Sequence, residues 1–522
     1  MTELSRETGR VIGLLVDRKG NVVDVIVGDA KGITISEMGR YRVSKARFRG
    51  VRCLHTRVAA DGITQDDLTD LALLRFDLLG VVETLSNGLP GKLEIAYLVP
   101  ENQKPGPEGM YERLEPTTVH QLDLDFLAFI EALEEEFAAS RRTREVSDRR
   151  HRAILVGVTT RSLQAARESM DELRELAFSA GHVVVDEIIQ KRNQIDGKMV
   201  VGRGKMNEIF IRSLQQSADL IIFDRELSGS QVRNISMLTD LEVIDRTQLI
   251  LDIFAQRAQS REGKIQVELA QLKYSLPRLI LKDDFMSRIT GGIGAKGPGE
   301  TKIEELKRLI RTRITRLEKD IHTLAKGRDE RRKSREASGI PVVSIVGYTN
   351  AGKSTLLNAL TGSDVLAEDK LFATLDPTTR RMRFPEQREL ILTDTVGFLR
   401  DLPDDLVNAF RATLEELREA HLIVHLVDMA NPQFREQMNA VEELMTELGL
   451  DNAPTLLVFN KEDRVDEETA AALREEFEAI SIAATRRLTL PRLTRRLEEM
   501  LWDETGMRME YPRSVLAARQ QS

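Results

Sequence analysis

The run Val342-Val343-Ser344-Ile345-Val346-Gly347-Tyr348-Thr349-Asn350-Ala351-Gly352-Lys353-Ser354-Thr355 decides how the last third of this chain folds. Its first five residues read as a buried strand, the next eight match GxxxxGKS, and a helical pattern follows, which is the strand, loop and helix order of a phosphate-binding loop. In that setting the glycines let backbone N–H groups approach phosphate oxygens. Lys353 reaches the β and γ phosphates, and the Ser354 hydroxyl is placed to bind a magnesium ion.

Two further strand ends stand in register with this loop. Leu390-Ile391-Leu392-Thr393 leads into Asp394-Thr395-Val396-Gly397, where the aspartate is placed for the magnesium shell and the Gly397 N–H for a γ-phosphate. Between the two lies Phe372-Ala373-Thr374-Leu375-Asp376, whose Thr374 completes the magnesium shell when a triphosphate is bound. The expected metal ligands are therefore Ser354 and Thr374, and the expected catalytic groups are Lys353, Thr374 and Gly397. The third strand, residues 455–459, ends in Asn460-Lys461-Glu462-Asp463. A carboxylate at Asp463 accepts from both N1–H and the 2-amino group of guanine. Adenine lacks that donor pair, so the reading favours GTP over ATP.

Working outward, 522 residues call for several domains, and 41% hydrophobic with 31% charged residues is an ordinary globular balance. A net charge of −8 excludes attraction to nucleic acid through overall basicity, so an RNA partner needs a local basic patch. No apolar run reaches the ~18 residues of a membrane span, and Met1 to Glu7 shows no signal-peptide core. The single cysteine, Cys53, suits a reducing compartment and reads as a small buried hydrophobe. A cytoplasmic monomer without membrane insertion is expected, with ribosome-peripheral or membrane-peripheral placement also allowed.

Residues 1–145 read as mixed α/β of unassigned role, with strands at 11–16 and 22–27, helical runs near 66–79 and 122–137, and a charged linker at 140–145. His55 and His120 have no ligand spacing around them and read as structural. Residues 150–255 alternate strands (153–158, 182–188, 220–223, 241–244) with amphipathic helices, as in a small parallel α/β unit. The piece Val201-Gly202-Arg203-Gly204-Lys205 lacks the spacing of a phosphate fingerprint and reads as a tight strand-to-helix turn. Residues 256–335 carry two heptad-like seams, Ile265, Leu269, Leu272, Leu276, Leu279 and then Ile303, Leu306, Ile310, Ile314, Leu317, Ile321, Leu324, which predict an antiparallel helical hairpin. Its connector, residues 291–299, is glycine-dense and holds Gly294, Lys296 and Gly297. The second helix adds Arg308 and Arg311 off its seam, and these five residues are the candidate RNA contacts. A domain over 340–505 and a short tail, 506–522, complete the division.

Taken together these residues resemble the translation-factor-related P-loop GTPases, and within them the HflX family, over roughly residues 153–501. Beyond the nucleotide motifs, the resemblance rests on Phe223-Asp224-Arg225-Glu226-Leu227-Ser228, Asp245-Arg246-Thr247, Lys296-Gly297-Pro298-Gly299-Glu300-Thr301 and Phe372 to Asp376. It implies a Mg²⁺-dependent GTPase that binds GTP and GDP, docks on the large ribosomal subunit and its RNA, and in some members splits stalled or inactive ribosomes. The loop that supports guanine in such proteins falls at Ala483-Ala484-Thr485, with the Ala484 N–H as donor, but Arg486-Arg487 follows where relatives often carry a small polar residue and glycine. Asn350 matches a potassium ligand of relatives activated by K⁺, and Phe398 replaces the glutamine that orients water in Ras-like switches. Residues 1–145 lie outside the family core. The alternatives are a small-molecule phosphotransferase, a nucleotide-independent RNA-binding scaffold, and a GTPase acting on a non-ribosomal target.

Overall fold

The computed structural model describes residues 1–30, 32–33, 48–58, 61–100, 111–147, 150–239, 241–290, 298–337, 340–362, 371–372, 378–384, 388–394, 397–399, 417–418, 420–450 and 453–502. The chain divides into two compact units, residues 1–174 with 181–245, and residues 175–180 with 246–522.

The first unit opens with α1 (Thr2–Thr8), the hairpin β1 (Ile12–Asp17) and β2 (Val22–Val27), and then β3 (Val51–Arg57), α2 (Gln65–Leu74), β4 (Leu79–Thr84) and β5 (Pro90–Leu98). β6 (Tyr111–Arg113), β7 (Thr117–Thr118) and α3 (Phe126–Ser147) follow. The strands form one mixed sheet in the order β2-β1-β3-β4-β5-β6, with β7 also on β5. The β1–β2 turn is drawn tight by Asp17, whose Oδ1 accepts from the N–H groups of Lys19 and Asn21 at 2.9 and 2.8 Å. Leu15, Cys53, Leu71, Phe76, Leu79 and Ile130 form the core under this sheet, so Cys53 is the buried hydrophobe its surroundings demand. Two expectations change here. The helical run 66–79 stops at Leu74, because Arg75 turns left-handed (φ 50°) and donates its N–H to Leu71 O; Leu79 then starts a strand. The charged linker at 140–145 belongs to α3.

The same unit continues with β8 (Arg152–Thr159), α4 (Leu163–Ser179, whose residues from Glu175 on belong to the second unit), β9 (Val183–Lys191), α5 (Arg203–Gln215), β10 (Leu220–Phe223), α6 (Gly229–Ser236) and β11 (Glu242–Asp245). Its four strands are all parallel, in the order β11-β10-β8-β9, as the alternation of elements implies. Arg203-Gly204-Lys205 opens α5, but it follows a turn closed by the Asp196–Val200 bridge rather than a strand.

The second unit includes α7 (Arg246–Arg257), then α8 (Arg261–Thr290) and α9 (Pro298–Ala337), which pack as the expected hairpin. Glu268–Arg313 (2.6 Å) and Lys273–Glu318 (2.8 Å) tie the two arms. The seam of α8 departs from the heptad reading: Val267, Ala270 and Tyr274 are buried beside Leu269, since α8 also packs on α7. The connector is shorter than expected, because Pro298 and Gly299 already lie in the first turn of α9, where proline has no hydrogen bond to lose.

The sheet that follows runs β12 (Val342–Val346), α10 (Lys353–Thr361), β13 (Thr378–Arg383), β14 (Glu389–Asp394), β15 (Leu422–Asp428), α11 (Phe434–Glu447), β16 (Thr455–Asn460), α12 (Glu467–Glu476), β17 (Ile480–Ser481) and α13 (Leu490–Leu501). The order is β13-β14-β12-β15-β16-β17, with only β13 antiparallel. Leu356 and Leu357 of α10 pack with Leu490, Leu493, Leu497 and Leu501, one stripe of α13, in a single core. Each such side chain contributes about 1.5–3 kcal/mol on burial. The strand order reverses at β12, so the carboxyl end of that strand is the crevice where open α/β sheets bind ligands.

Candidate nucleotide site

All five residues of β12 are buried, and the strand delivers Gly347 to the sheet's carboxyl edge. A Cβ at Gly347 would collide with the carbonyl of Leu426, and one at Gly352 (φ 94°) with the Asn460 amide, so both positions require glycine. Asn350 turns the loop with φ 62°. Lys353 opens α10 and folds back over the loop, donating from Nζ to the carbonyls of Gly347 at 3.1 Å and Tyr348 at 2.8 Å. Burial pushes its ammonium down to about 8, with the charge of Asp394 opposing the shift. The next residue, Ser354, donates its hydroxyl to Asp394 Oδ2 at 2.6 Å, bringing together the two groups read as magnesium-facing.

The Gly397 end of the second motif closes on the loop. Thr349 donates its N–H to Phe398 O at 2.8 Å, and Phe398 donates to Gly347 O at 3.2 Å. Phe398 itself is buried, so the position after Gly397 presents no polar side chain to a water molecule. On the far side, Asn460 fastens three segments. Its Nδ2 donates to Ala351 O at 2.8 Å, its Oδ1 accepts the Ala484 N–H at 2.9 Å, and its own strand pairs with β15. The Ala484 N–H, read above as a donor to the base, is here donated to Asn460. Lys461, in a left-handed conformation (φ 63°), pairs with Asp428 at 2.7 Å. Glu462 Oε2 accepts from the Ser481 hydroxyl at 2.6 Å. Asp463 is open to solvent, with Arg486 Nη2 at 3.9 Å from its Oδ2.

Phe372 occupies a position the sequence did not foretell. It is buried with φ 56°, and its ring stands edge-on to Phe254 of α7 with centroids 4.6 Å apart, while the Leu371 N–H donates to Ser179 Oγ at 3.1 Å. The start of the Phe372-to-Asp376 segment is therefore held by the last residue of α4 and by α7. Ala373, Thr374, Leu375, Asp376, Thr395 and Val396 lie outside the described residues, as do Gly294, Lys296 and Gly297. Thr355 follows Ser354 in α10, and Arg308 and Arg311 are exposed on α9.

A family profile described as "50S ribosome-binding GTPase" matches residues 342–461, and two others, "GTP-binding GTPase N-terminal" and "GTP-binding GTPase Middle Region", match residues 167–255 and 257–335. The chain is 47% identical over 361 residues to "GTPase HflX" of Caldanaerobacter subterraneus subsp. tengcongensis, covering 69% of this chain and 83% of that relative. It belongs to the HflX family of GTPases. The Escherichia coli K12 relative of the same name is 43% identical over 342 residues, 65% of this chain and 80% of the relative. A solved structure titled "crystal structure of SsGBP and GDP complex" aligns with 25% identity and a TM-score of 0.41 over 66% of this chain and 97% of that one.

As an HflX-family GTPase the chain binds and hydrolyses GTP, and the geometry of the loop suits that reaction. The N–H groups at the start of α10 and the Lys353 ammonium stand together to meet phosphate charge, and Asn460 keeps the loop in register with the Ala484 segment. Ser354 and Asp394 offer hard oxygen donors at hydrogen-bond distance from each other, a set that fits Mg²⁺. When bound, that ion neutralises charge on the phosphates. Sequence reading also missed a charged cluster in the first unit, where His55 and Arg57 meet Asp67 in the interior. The sequence shows only that His55 and Arg57 alternate on one strand and that Thr64-x-x-Asp67 forms a capping box; that the two meet is set by the fold.

Proposed function

We propose that the chain is a GTP-timed factor that docks on the large ribosomal subunit and releases or splits stalled or inactive ribosomes. GTP orders the segments around Thr374 and Gly397, hydrolysis releases them, and the helical hairpin carries that state to ribosomal RNA. The observation that carries this reading is the outer face of α9: Arg308, Arg311 and Arg316 are exposed, with no ion pair among the described residues, on a long hairpin arm in a chain of net charge −8. Family membership supports it, since the matching profile is described by ribosome binding. Lys296 adds a further cation between the two arms, and Asn350 makes potassium a second ion of the nucleotide site. Co-sedimentation with purified subunits in a GTP analogue, in GDP and without nucleotide tests the proposal. Retention on the large subunit in the analogue state alone is expected. Binding indifferent to nucleotide supports the scaffold alternative instead, and absence of binding in every state points to a non-ribosomal target.

A further inference from the structure

A site that reads guanine through a carboxylate has a second need. Asp463 is read as accepting from N1–H and the 2-amino group, and the 6-oxo oxygen next to N1 then calls for a donor beside that carboxylate. Segment 484–486 offers two candidates. The Ala484 N–H already donates to Asn460 Oδ1 at 2.9 Å, in a position only 5% exposed. The other is the Arg486 guanidinium, whose Nη2 lies 3.9 Å from Asp463 Oδ2. Both segments belong to the nucleotide site by direct contact: Asn460, three residues ahead of Asp463, donates to Ala351 O of the phosphate loop at 2.8 Å and accepts from Ala484.

Arg486 is held at its backbone and exposed at its head. Its N–H donates to Ala483 O at 2.8 Å, and its carbonyl accepts from the Thr489 N–H at 3.0 Å and the Thr489 hydroxyl at 2.9 Å. That hydroxyl also accepts from the Ala483 N–H at 3.0 Å, so the turn 483–489 closes on itself and fixes where the side chain starts. The side chain beyond is 65% exposed, and at 3.9 Å it makes no hydrogen bond to Asp463. An exposed ion pair at that distance contributes little to the fold, so stability does not account for it. Carboxylate and guanidinium instead stand side by side as acceptor and donor, the complement of N1–H and the 6-oxo group on guanine. Arg492, the next arginine toward the helix core, faces Glu462 at 3.7 Å.

We propose that Arg486 is a base-specificity residue, donating to the 6-oxo group of guanine while Asp463 reads N1–H and the 2-amino group. The proposal rests on the reading of Asp463 as the guanine acceptor. It divides selection against adenine between two residues. Adenine carries an unprotonated N1, which leaves Asp463 without its donor, and a 6-amino group, which sets donor against donor at Arg486.

The test is competition against a fluorescent GDP derivative on the full chain, with three unlabelled ligands: GDP, IDP, which lacks the 2-amino group, and 6-thio-GDP, in which a weakly accepting sulfur replaces the 6-oxo oxygen. Arg486→Ala should weaken GDP and IDP alike by about tenfold, as for one hydrogen bond from a charged donor, and 6-thio-GDP by clearly less. The preference for GDP over 6-thio-GDP then shrinks while the preference for GDP over IDP stays. Asp463→Asn should do the reverse, removing the preference for GDP over IDP and keeping that over 6-thio-GDP. Arg486→Lys, which retains a donor, should recover part of the loss. Arg487→Ala makes the same charge change one residue on and should leave every affinity within about twofold. Since the Arg486 side chain is exposed, its replacement should not move the melting temperature, which separates lost recognition from lost folding. If Arg486→Ala leaves all three affinities at their wild-type values, the 6-oxo group is served elsewhere and the proposal is overturned. An equal loss for all three ligands, or the same loss in Arg487→Ala, assigns the effect to charge alone and overturns it as well. If Asp463→Asn leaves the ratio of GDP to IDP affinity unchanged, the acceptor reading itself fails and takes the proposal with it, an outcome the Arg486 variants cannot produce.

Discussion

Lys353 at the start of α10 and Arg57 at the end of β3 are both buried cations within the field of an aspartate, yet they stand in opposite relations to it. Lys353 spends its hydrogen bonds on the carbonyls of its own loop, and its ammonium is pushed down by burial. Asp394 is held by the neutral Ser354 hydroxyl, a contact that an incoming ion exchanges without stranding a charge. Arg57 is bound directly to Asp67, which also caps a helix. The first site is arranged to receive charge from a ligand. The second has its charge satisfied by the chain and contributes to holding the fold. Function is expected to depend on Lys353 and stability on Arg57.

Four substitutions break or sharpen that contrast. Arg57→Ala leaves the buried Asp67 with His55 and Thr64 but without its guanidinium partner, and the first unit should lose about 3 kcal/mol, read as a shifted denaturation midpoint in a unit-resolved melt. An unchanged midpoint would show that the cluster does not hold the fold. Lys353→Ala should lower the GTP turnover rate by about 10²–10³-fold while leaving the melting temperature of the second unit equal or higher, because a desolvated ammonium is removed. A matching loss of stability would erase the distinction between the sites. Asp463→Asn should cost about 3 kcal/mol in GTP affinity, two charge-assisted hydrogen bonds, and gain affinity for xanthosine triphosphate, whose 2-oxo group needs a donor. Equal binding of ATP and GTP by the wild type contradicts the base assignment.

The smallest effect concerns Asp70, one turn beyond Asp67. Burial, then the charges of Asp67 and Asp66, raise its carboxyl from 3.8 to about 6. A raised carboxyl favours the folded state while protonated, so its contribution is full below about pH 4 and is lost as pH rises through 6. Asp67 runs the other way: burial raises its carboxyl, but the contacts from His55 and Thr64 outweigh that and hold it at about 2, so its contribution is present above about pH 4 and lost toward pH 2. Asp70→Asn should therefore stabilise the chain by about 1–2 kcal/mol at pH 8, a range reduced for partial exposure, and by nothing at pH 4. A pH-independent difference would refute the assignment.

The two sites also differ in how much of them a sequence displays. Gly347 to Ser354 is one contiguous stretch whose spacing is its geometry, and Asp394 and Asn460 announce themselves by ending strands in order. The His55, Arg57 and Asp67 cluster needs β3 to lie beside the first turn of α2, a tertiary fact that no local spacing conveys, which is why His55 reads as merely structural. The hairpin falls between these cases. Leu269 and Leu317 were legible as seam residues, while Val267 and Tyr274 were not, because burial against α7 depends on a neighbour outside the heptad. The contact between Phe254 and Phe372 was invisible for the same reason, since only the fold brings two rings so distant in the chain edge to face.

Phe398, buried where a water-orienting side chain would stand, bears most directly on the switch itself. With no such group at that position, unassisted hydrolysis should be slow and a docking partner should complete the site. Single-turnover GTP hydrolysis, measured in K⁺ and in Na⁺ with and without purified large ribosomal subunits, tests this. The expected result is a slow basal rate raised roughly tenfold or more by large subunits, and further in K⁺ than in Na⁺. A fast basal rate indifferent to subunits and to the ion would contradict a GTPase switch timed by the ribosome.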